Sequence, residues 1–236
     1  MFKHKRQKKK APHASPKTAD YWRKLNVGSF VVLRDFQALE EYSSSDGINY
    51  EIIGKQVYSF FSGNNEIFAE YLMFDLADAK KNYKLVTIIT GSFIEFRIYF
   101  QPDGFEPGSR TTLLSQGFEW LFIEPTDSNS FIPAELDYAQ YPNVPPINDG
   151  YETRTLSFSM SSQGPLWGEY HNPSNGKKLP VNLIEYISEE SAPNPLMIML
   201  EEGGIDLNGN RIAEGGYITL FLGCTIDLSQ MDIYPI

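Results

Sequence analysis

The sequence predicts a mainly β protein. Its antiparallel sheets are packed as a sandwich or as curved half-barrel units, with few short helices and a disordered basic N-terminal arm. Three observations carry this. From Tyr21 onward, short segments rich in Val, Ile, Phe, Tyr and Thr alternate with clusters of Gly, Asn, Asp, Ser and Pro, as strands alternate with turns. Fifteen Pro and eighteen Gly demand many turns and leave no room for the long Ala/Leu/Glu/Lys helices of a bundle. Finally, Phe93–Phe100 (FIEFRIYF) alternates strictly: Ile94, Phe96, Ile98 and Phe100 share one face, Glu95 and Arg97 the other. That is the pattern of a half-buried strand.

The elements follow in order. Residues 1–20 read as an arm, because Pro12 and Pro16 disfavour helix and a dense block of like charge repels itself. Strands are expected at Val27–Leu33, Tyr50–Phe61 and Glu66–Phe74. Lys84–Thr90 (KLVTIIT) is β-branched and meets FIEFRIYF across Gly91-Ser92. A two-residue connection with Gly supplying positive φ makes a tight hairpin. Residues 101–150 break the rhythm: QPDGFEPGSR is turn-rich, Leu113–Ile123 fits a short helix or a strand, and the following stretch to Tyr151 holds five prolines. This is a long ordered loop or a connection between two β halves. Further strands are expected at Thr155–Met160, Val181–Ile187, Leu196–Leu200 and Tyr217–Leu222. The layout is therefore a flexible arm (1–20), an N-terminal β unit (21–105), an irregular connection (106–150) and a C-terminal β unit (151–236). The last is expected either to stand alone or to form one domain with 21–105.

Composition narrows the function. Hydrophobic residues are 42% and aromatics 14% of 236, enough for a folded core without disulfides or metals. The single cysteine, Cys224, allows no intrachain disulfide and fits a reducing cytosol. It lies in the apolar run TLFLGCTIDL and reads as a small buried hydrophobe. The charged start runs into Ala11-Pro12-His13-Ala14-Ser15-Pro16, not into the apolar core of a secretory signal. No stretch approaches the roughly 20 apolar residues of a membrane span. A cytoplasmic protein is expected.

The motifs for chemistry are weak. His171 is the only histidine outside the arm region, so a Ser-His-Asp or Cys-His enzyme has to use it. It follows Trp167-Gly168-Glu169-Tyr170 and reads as a strand-end residue. No G-x-S-x-G, GxGxxG or GxxxxGK[ST] occurs, and one Cys and one His do not make a zinc site. Asp206-Leu207-Asn208-Gly209-Asn210-Arg211 begins like a calcium loop. It lacks the Gly and Glu that an EF-hand needs, having Arg211 and Tyr217 there; a turn on Asn208-Gly209 accounts for it. Carboxylate pairs such as Glu40-Glu41, Glu189-Glu190 and Glu201-Glu202 read as solvated acidic surface. No catalytic residue, metal ligand or cofactor is assigned.

The charge distribution is the sharpest signal. MFKHKRQKKK carries Lys3, Lys5, Arg6, Lys8, Lys9 and Lys10 with no acid. Of 20 Lys+Arg and 30 Asp+Glu in the chain, 14 and 30 remain in residues 11–236, a net of −16. Each basic residue near an anionic lipid surface contributes about 1 kcal/mol, and Phe2 adds a buried ring. The acidic body opposes both nucleic acid and membrane, but only within a Debye length of about 8 Å at physiological salt. A proline-containing linker holds the body beyond that distance. These terms favour an anionic membrane over nucleic acid as the partner of Phe2, Lys3, Lys5, Arg6, Lys8, Lys9 and Lys10.

Two stretches resemble the uncharacterised bacterial YjfK-like family. The first runs from Val27-Gly28-Ser29-Phe30 through Tyr50-Glu51-Ile52-Ile53-Gly54 and Glu66-Ile67-Phe68-Ala69-Glu70-Tyr71 to FIEFRIYF. The second is LFLGCTIDLSQMDIYPI, with Gly223, Ile226, Leu228 and Ile233 in a G-x-x-I-x-L-x-x-x-x-I pattern. The resemblance covers about half of the chain and consists of strand and turn patterns. It implies a cytoplasmic protein without known enzymatic activity, often encoded beside homologues of phage-shock protein A, a membrane-remodelling stress protein.

The expectation is thus a non-enzymatic cytoplasmic adaptor, peripheral at the inner face of the membrane through its arm. A phage-shock protein A-like partner would meet its acidic body in an envelope-stress response. The alternatives are a hydrolase-like enzyme with an acidic cleft near His171, and nucleic-acid contact through the arm.

Overall fold

The computed structural model describes residues 15–34, 48–77, 83–101, 135–137, 157–160, 166–188, 196–203 and 217–236, with Gly108 and Ser115 as isolated positions. Along the chain come helix α1 (Ala19–Lys24) and strands β1 (Phe30–Leu33), β2 (Ile48–Phe61), β3 (Ile67–Leu76), β4 (Tyr83–Thr90), β5 (Phe93–Phe100), β6 (Glu135–Asp137), β7 (Ser157–Met160), β8 (Leu166–His171), β9 (Lys178–Ser188), β10 (Leu196–Gly203), β11 (Tyr217–Thr225) and β12 (Met231–Tyr234). A 3₁₀ turn, Leu228–Gln230, precedes β12. The fold is mainly antiparallel β, and of the two expected packings it takes the curved one.

Pairing defines the curve. The order β2-β3-β4-β5-β11-β10-β9 is continued by β8, which pairs with both β9 and β2. Eight strands therefore form a ring, four from residues 48–100 and four from 166–225. The ring closes over only part of the length of β2 and β9. Beyond Val57, β2 turns to β1, which is flanked in turn by β12. Beyond the β8 segment, β9 turns to β7, which is flanked by β6. The long strands β2 and β9 are thus shared between ring and flanges.

Thr90 pairs directly with Phe93, so Gly91-Ser92 is the two-residue hairpin connection, with Gly91 at φ +59°. Val27 and Gly28, expected in a strand, form a turn, and β1 begins at Phe30. The expected arm is shorter than 1–20. From Pro16 the chain turns into α1, because the Trp22 indole is wholly buried and its Nε1 donates to the Pro16 carbonyl at 2.6 Å. Phe2 to Lys10, the Leu113–Ile123 segment apart from Ser115, and the Asp206–Arg211 loop lie outside the described residues.

The alternation of side chains gives the ring two faces. The outer face carries the larger core. Leu72 and Phe74 of β3, Leu85 of β4, Ile98 of β5 and Leu220 and Leu222 of β11 are all buried there. Trp22 covers part of it, its ring centroid 4.9 Å from that of Phe96 and 6.2 Å from that of Phe74. The inner face holds Phe60, Tyr71, Met73, Val86, Leu183 and Met199. Eight strands leave an interior that side chains fill or that holds one small ligand.

The expected wet face of FIEFRIYF is wet at Glu95 but not at Arg97. Arg97 and Tyr99, opposite to Phe96 and Ile98, point into the ring and are buried. Arg97 forms a close ion pair with Glu185 of β9, three strands away around the ring. Glu185 also accepts from the Tyr71 hydroxyl at 2.8 Å and the Tyr99 hydroxyl at 3.1 Å. Burial, reinforced by the Glu185 charge, pushes both phenols well above their ordinary pKa, so both remain donors. Burial opposes the Arg97 charge, but the Glu185 carboxylate paired with it favours the charged form, and the net direction of its pKa is upward. Three strands are thus tied together inside the ring.

Cys224 lies on the outer core face and is fully buried, as expected. Burial pushes its thiol up to about 12. At about pH 8, near the ordinary thiol pKa, the native protein is expected to leave a disulfide reagent such as DTNB unreacted. The urea-unfolded chain should titrate one thiol. Rapid reaction of native protein would show that the outer core opens.

Candidate functional site

The ring has two unlike ends. At one end, where β3 ends at Leu76 and β4 begins at Tyr83, lies a cavity of about 440 Å³. Its chemistry comes from neighbouring strands. Asp75 of β3 and Lys84 of β4 are directly cross-strand, and they form a close ion pair. Gln56 of β2 joins them, its Nε2 donating to Asp75 Oδ2 at 2.7 Å and its Oε1 accepting from Lys84 Nζ at 3.3 Å. The register of β2 shifts between Ile52 and Gly54, which sets Ile53 on the rim. A Cβ at position 54 would stand 2.2 Å from Asp75 Oδ2, so glycine is what lets that carboxylate lie against β2.

The floor is aromatic and acidic. The Tyr58 hydroxyl donates to Glu201 Oε2 at 2.9 Å. The Tyr58 ring meets that of Tyr170 on β8 at 5.3 Å between centroids, tilted by 60°. Thr219 lies cross-strand from Glu201. Lys84 Nζ stands 5.5 Å from the centroid of Phe221, within the range of a cation–π contact. Glu201 is 6% exposed. The reading of the Glu201-Glu202 pair as solvated surface is therefore corrected at Glu201, because ring closure turns its side of β10 inward.

The opposite end is apolar at its tips. The β2–β3 turn and the β4–β5 turn lie side by side, since Glu70 pairs with Ile89. There Phe93 is 79% exposed, Ile67 60% and Phe68 42%. A groove of about 570 Å³ runs beside Phe93 and is lined by Pro16, Lys17, Glu95 and Asp227 among others. Pro16 is where the chain from the basic arm enters the fold.

His171 is the half-buried last residue of β8, opposite Val57 and Lys178. It is not among the described lining residues of either cavity, so neither brings it to a Ser or an Asp. Among the described residues no group of three His, Cys, Asp or Glu is placed to hold a metal ion. No helix among them is long and apolar enough to cross a membrane. The chain matches no protein-family model, no characterised protein and no solved structure in the comparisons made with each.

Proposed function

We propose that the protein is a non-catalytic adaptor that rests on an anionic membrane by the hairpin-tip end of its ring, held there by its basic arm. One observation supports this best. Phe93, Ile67 and Phe68 are exposed at the end where Pro16 leads back toward Phe2, Lys3, Lys5, Arg6, Lys8, Lys9 and Lys10. Six basic residues at about 1 kcal/mol each give weak, salt-sensitive attraction. An aromatic tip adds an interfacial contact that does not depend on salt. The net −16 of residues 11–236 opposes close approach within about a Debye length, so the arm and the apolar tip act together to bring that end of the body to the surface. In this reading the protein is cytoplasmic, and the acidic body meets a protein partner. By the YjfK-like resemblance that partner is a phage-shock protein A-like protein.

The test is co-flotation of the full chain with vesicles of neutral or of anionic lipid, at low and physiological salt. Binding to anionic vesicles alone is expected. It should be lost when the six arm residues are changed to Gln and reduced several-fold by Phe93→Ser. No flotation with anionic vesicles at low salt would overturn the membrane reading.

A further inference from the structure

The groove beside Phe93 begins where the basic arm enters the fold. We infer that it is the docking site of that arm, with the Phe2 ring seated on its apolar lining and the cations next to Phe2 set against Glu95 and Asp227.

Three observations point to this occupant. The first is attachment. Pro16 and Lys17 themselves line the groove, and the Trp22 Nε1–Pro16 hydrogen bond of 2.6 Å fixes the chain there. Fourteen residues lead from Phe2 to Pro16, at most about 50 Å of extended chain. Docking is then an intramolecular step. A short tether gives an effective concentration in the millimolar range, so a contact too weak to hold a separate peptide is populated.

The second is the apolar lining. Phe93, Ile94 and Leu228 line the groove, together with the buried Phe96 and Ile226. An apolar cavity of about 150 Å³ accepts a benzene ring, so about 570 Å³ takes the Phe2 ring and its chain neighbours. Phe2 is the one Phe, Tyr or Trp in residues 1–15, and docking removes its ring from water together with part of the exposed Phe93.

The third is charge. Glu95 and Asp227 line the groove and are both exposed. Glu95 is the second carboxylate on one guanidinium: its Oε1 lies 3.1 Å from Arg97 Nη2, while Arg97 Nη1 is in the close pair with Glu185. The Asp227 side chain accepts from the Gln230 backbone in a capping box, which leaves its charge uncancelled. Lys3, Lys5 and Arg6 follow Phe2 closely in the sequence. Seating Phe2 brings them to these two carboxylates, where opposite charge adds to the apolar contact. On the membrane reading the groove competes with lipid for the arm, but the docking itself does not rest on that reading.

Paramagnetic relaxation enhancement on the full chain tests it, without lipid and at low salt. A nitroxide is attached at His4→Cys; Cys224 is buried and stays unlabelled in the native protein. The amide signals of residues 92–96 and 225–228 should be broadened several-fold more than in a baseline chain, in which the six arm Lys and Arg are changed to Gln and Phe2 to Ser. The baseline is needed because any chain rooted at Pro16 spends part of its time near the groove. Glu95→Gln with Asp227→Asn should bring the broadening down toward the baseline with the fold intact, since Glu95 is exposed and Asn caps a turn as Asp does. Phe93→Ser stays out of the series, because it alters tip and groove together. Broadening equal to the baseline, or undiminished in the Glu95 and Asp227 variant, would overturn the proposal. So would broadening of an isotope-labelled chain by a separate nitroxide-bearing chain, which would make the occupant a second copy. Flotation keeps the two readings apart. Binding to anionic vesicles without enhanced broadening removes the docking and leaves the membrane reading; enhanced broadening without flotation does the reverse.

Discussion

Glu185→Gln is expected to lower the unfolding free energy by about 3–5 kcal/mol, the cost of leaving one partner of a buried ion pair without the other. Against a total of about 5–15 kcal/mol for a domain, this is a large share. The side chain of Glu185 receives Arg97, Tyr71 and Tyr99, from β5 and β3. All four groups are buried inside the ring. Gln keeps the shape and offers one carbonyl oxygen in place of two carboxylate oxygens, but it leaves the buried guanidinium only the exposed Glu95, 3.1 Å from its Nη2, as a charged partner. Replacing the pair together, Arg97→Met with Glu185→Leu, removes that charge. It still leaves two phenol donors without an acceptor, at about 1–3 kcal/mol each. Adding Tyr71→Phe and Tyr99→Phe should therefore recover most of the remaining loss. Urea unfolding followed by tryptophan fluorescence reads the series. The ordering of single, double and quadruple variants separates an unpaired charge from a packing defect, because a packing defect grows with each truncation. A loss below about 1 kcal/mol for Glu185→Gln would mean that the pair is solvated and the ring open.

This network explains why the sequence disclosed the strands better than what they enclose. FIEFRIYF alternates, and alternation identifies two faces. It does not say which of them meets water. In a flat sheet Glu95 and Arg97 would share a wet face. In a ring that face turns inward, and Arg97 is buried while Glu95 near the hairpin end stays exposed. The burial of Arg97 depends on Glu185, which is far along the chain in VNLIEYIS, and no local pattern announces that meeting. The cavity is equally distributed. Gln56, Asp75, Lys84 and Glu201 come from four strands, and only the register of those strands brings them together. The nearest signals in the sequence were the glycine at 54, which interrupts an otherwise β-rich run, and an acid in the apolar segment LMIMLEE. Helix α1 was missed for a different reason. ADYWRK is too short for a helical period to show, and isolated helices shorter than about 12–15 residues are marginal in water. What stabilises α1 is the surface beneath it.

That dependence makes Trp22→Ala the second large effect, with an expected loss of about 3–5 kcal/mol for removing a buried Trp. Trp22 contributes in three ways. Its ring covers Phe74 and Phe96 on the outer core, its Nε1 satisfies the Pro16 carbonyl, and it anchors the six-residue α1. Trp22→Phe keeps most of the first and loses the second, and should cost about 1 kcal/mol for one hydrogen bond plus the smaller ring. Helix α1 has a further clamp: Lys55 Nζ donates to the carbonyls of Arg23 at 2.6 Å and Leu25 at 2.9 Å. This clamp adds to the Trp22 anchor, although burial lowers the Lys55 pKa and so works against its charged form. Amide exchange over residues 19–25, measured beside global urea unfolding, distinguishes two outcomes. Parallel loss in both shows that α1 is part of the cooperative unit. Loss of protection with an unchanged urea midpoint shows that α1 docks as a separate step. The functional consequence follows from position. Pro16, held by Trp22, fixes where the basic arm leaves the fold, beside Phe93. In Trp22→Ala the arm keeps its charge but is no longer rooted next to the aromatic tip. Flotation on anionic vesicles should then become more salt-sensitive than in the parent protein, because the electrostatic attraction stays and the apolar contact is uncoupled from it. Salt dependence identical to that of the parent would show that arm and tip act independently.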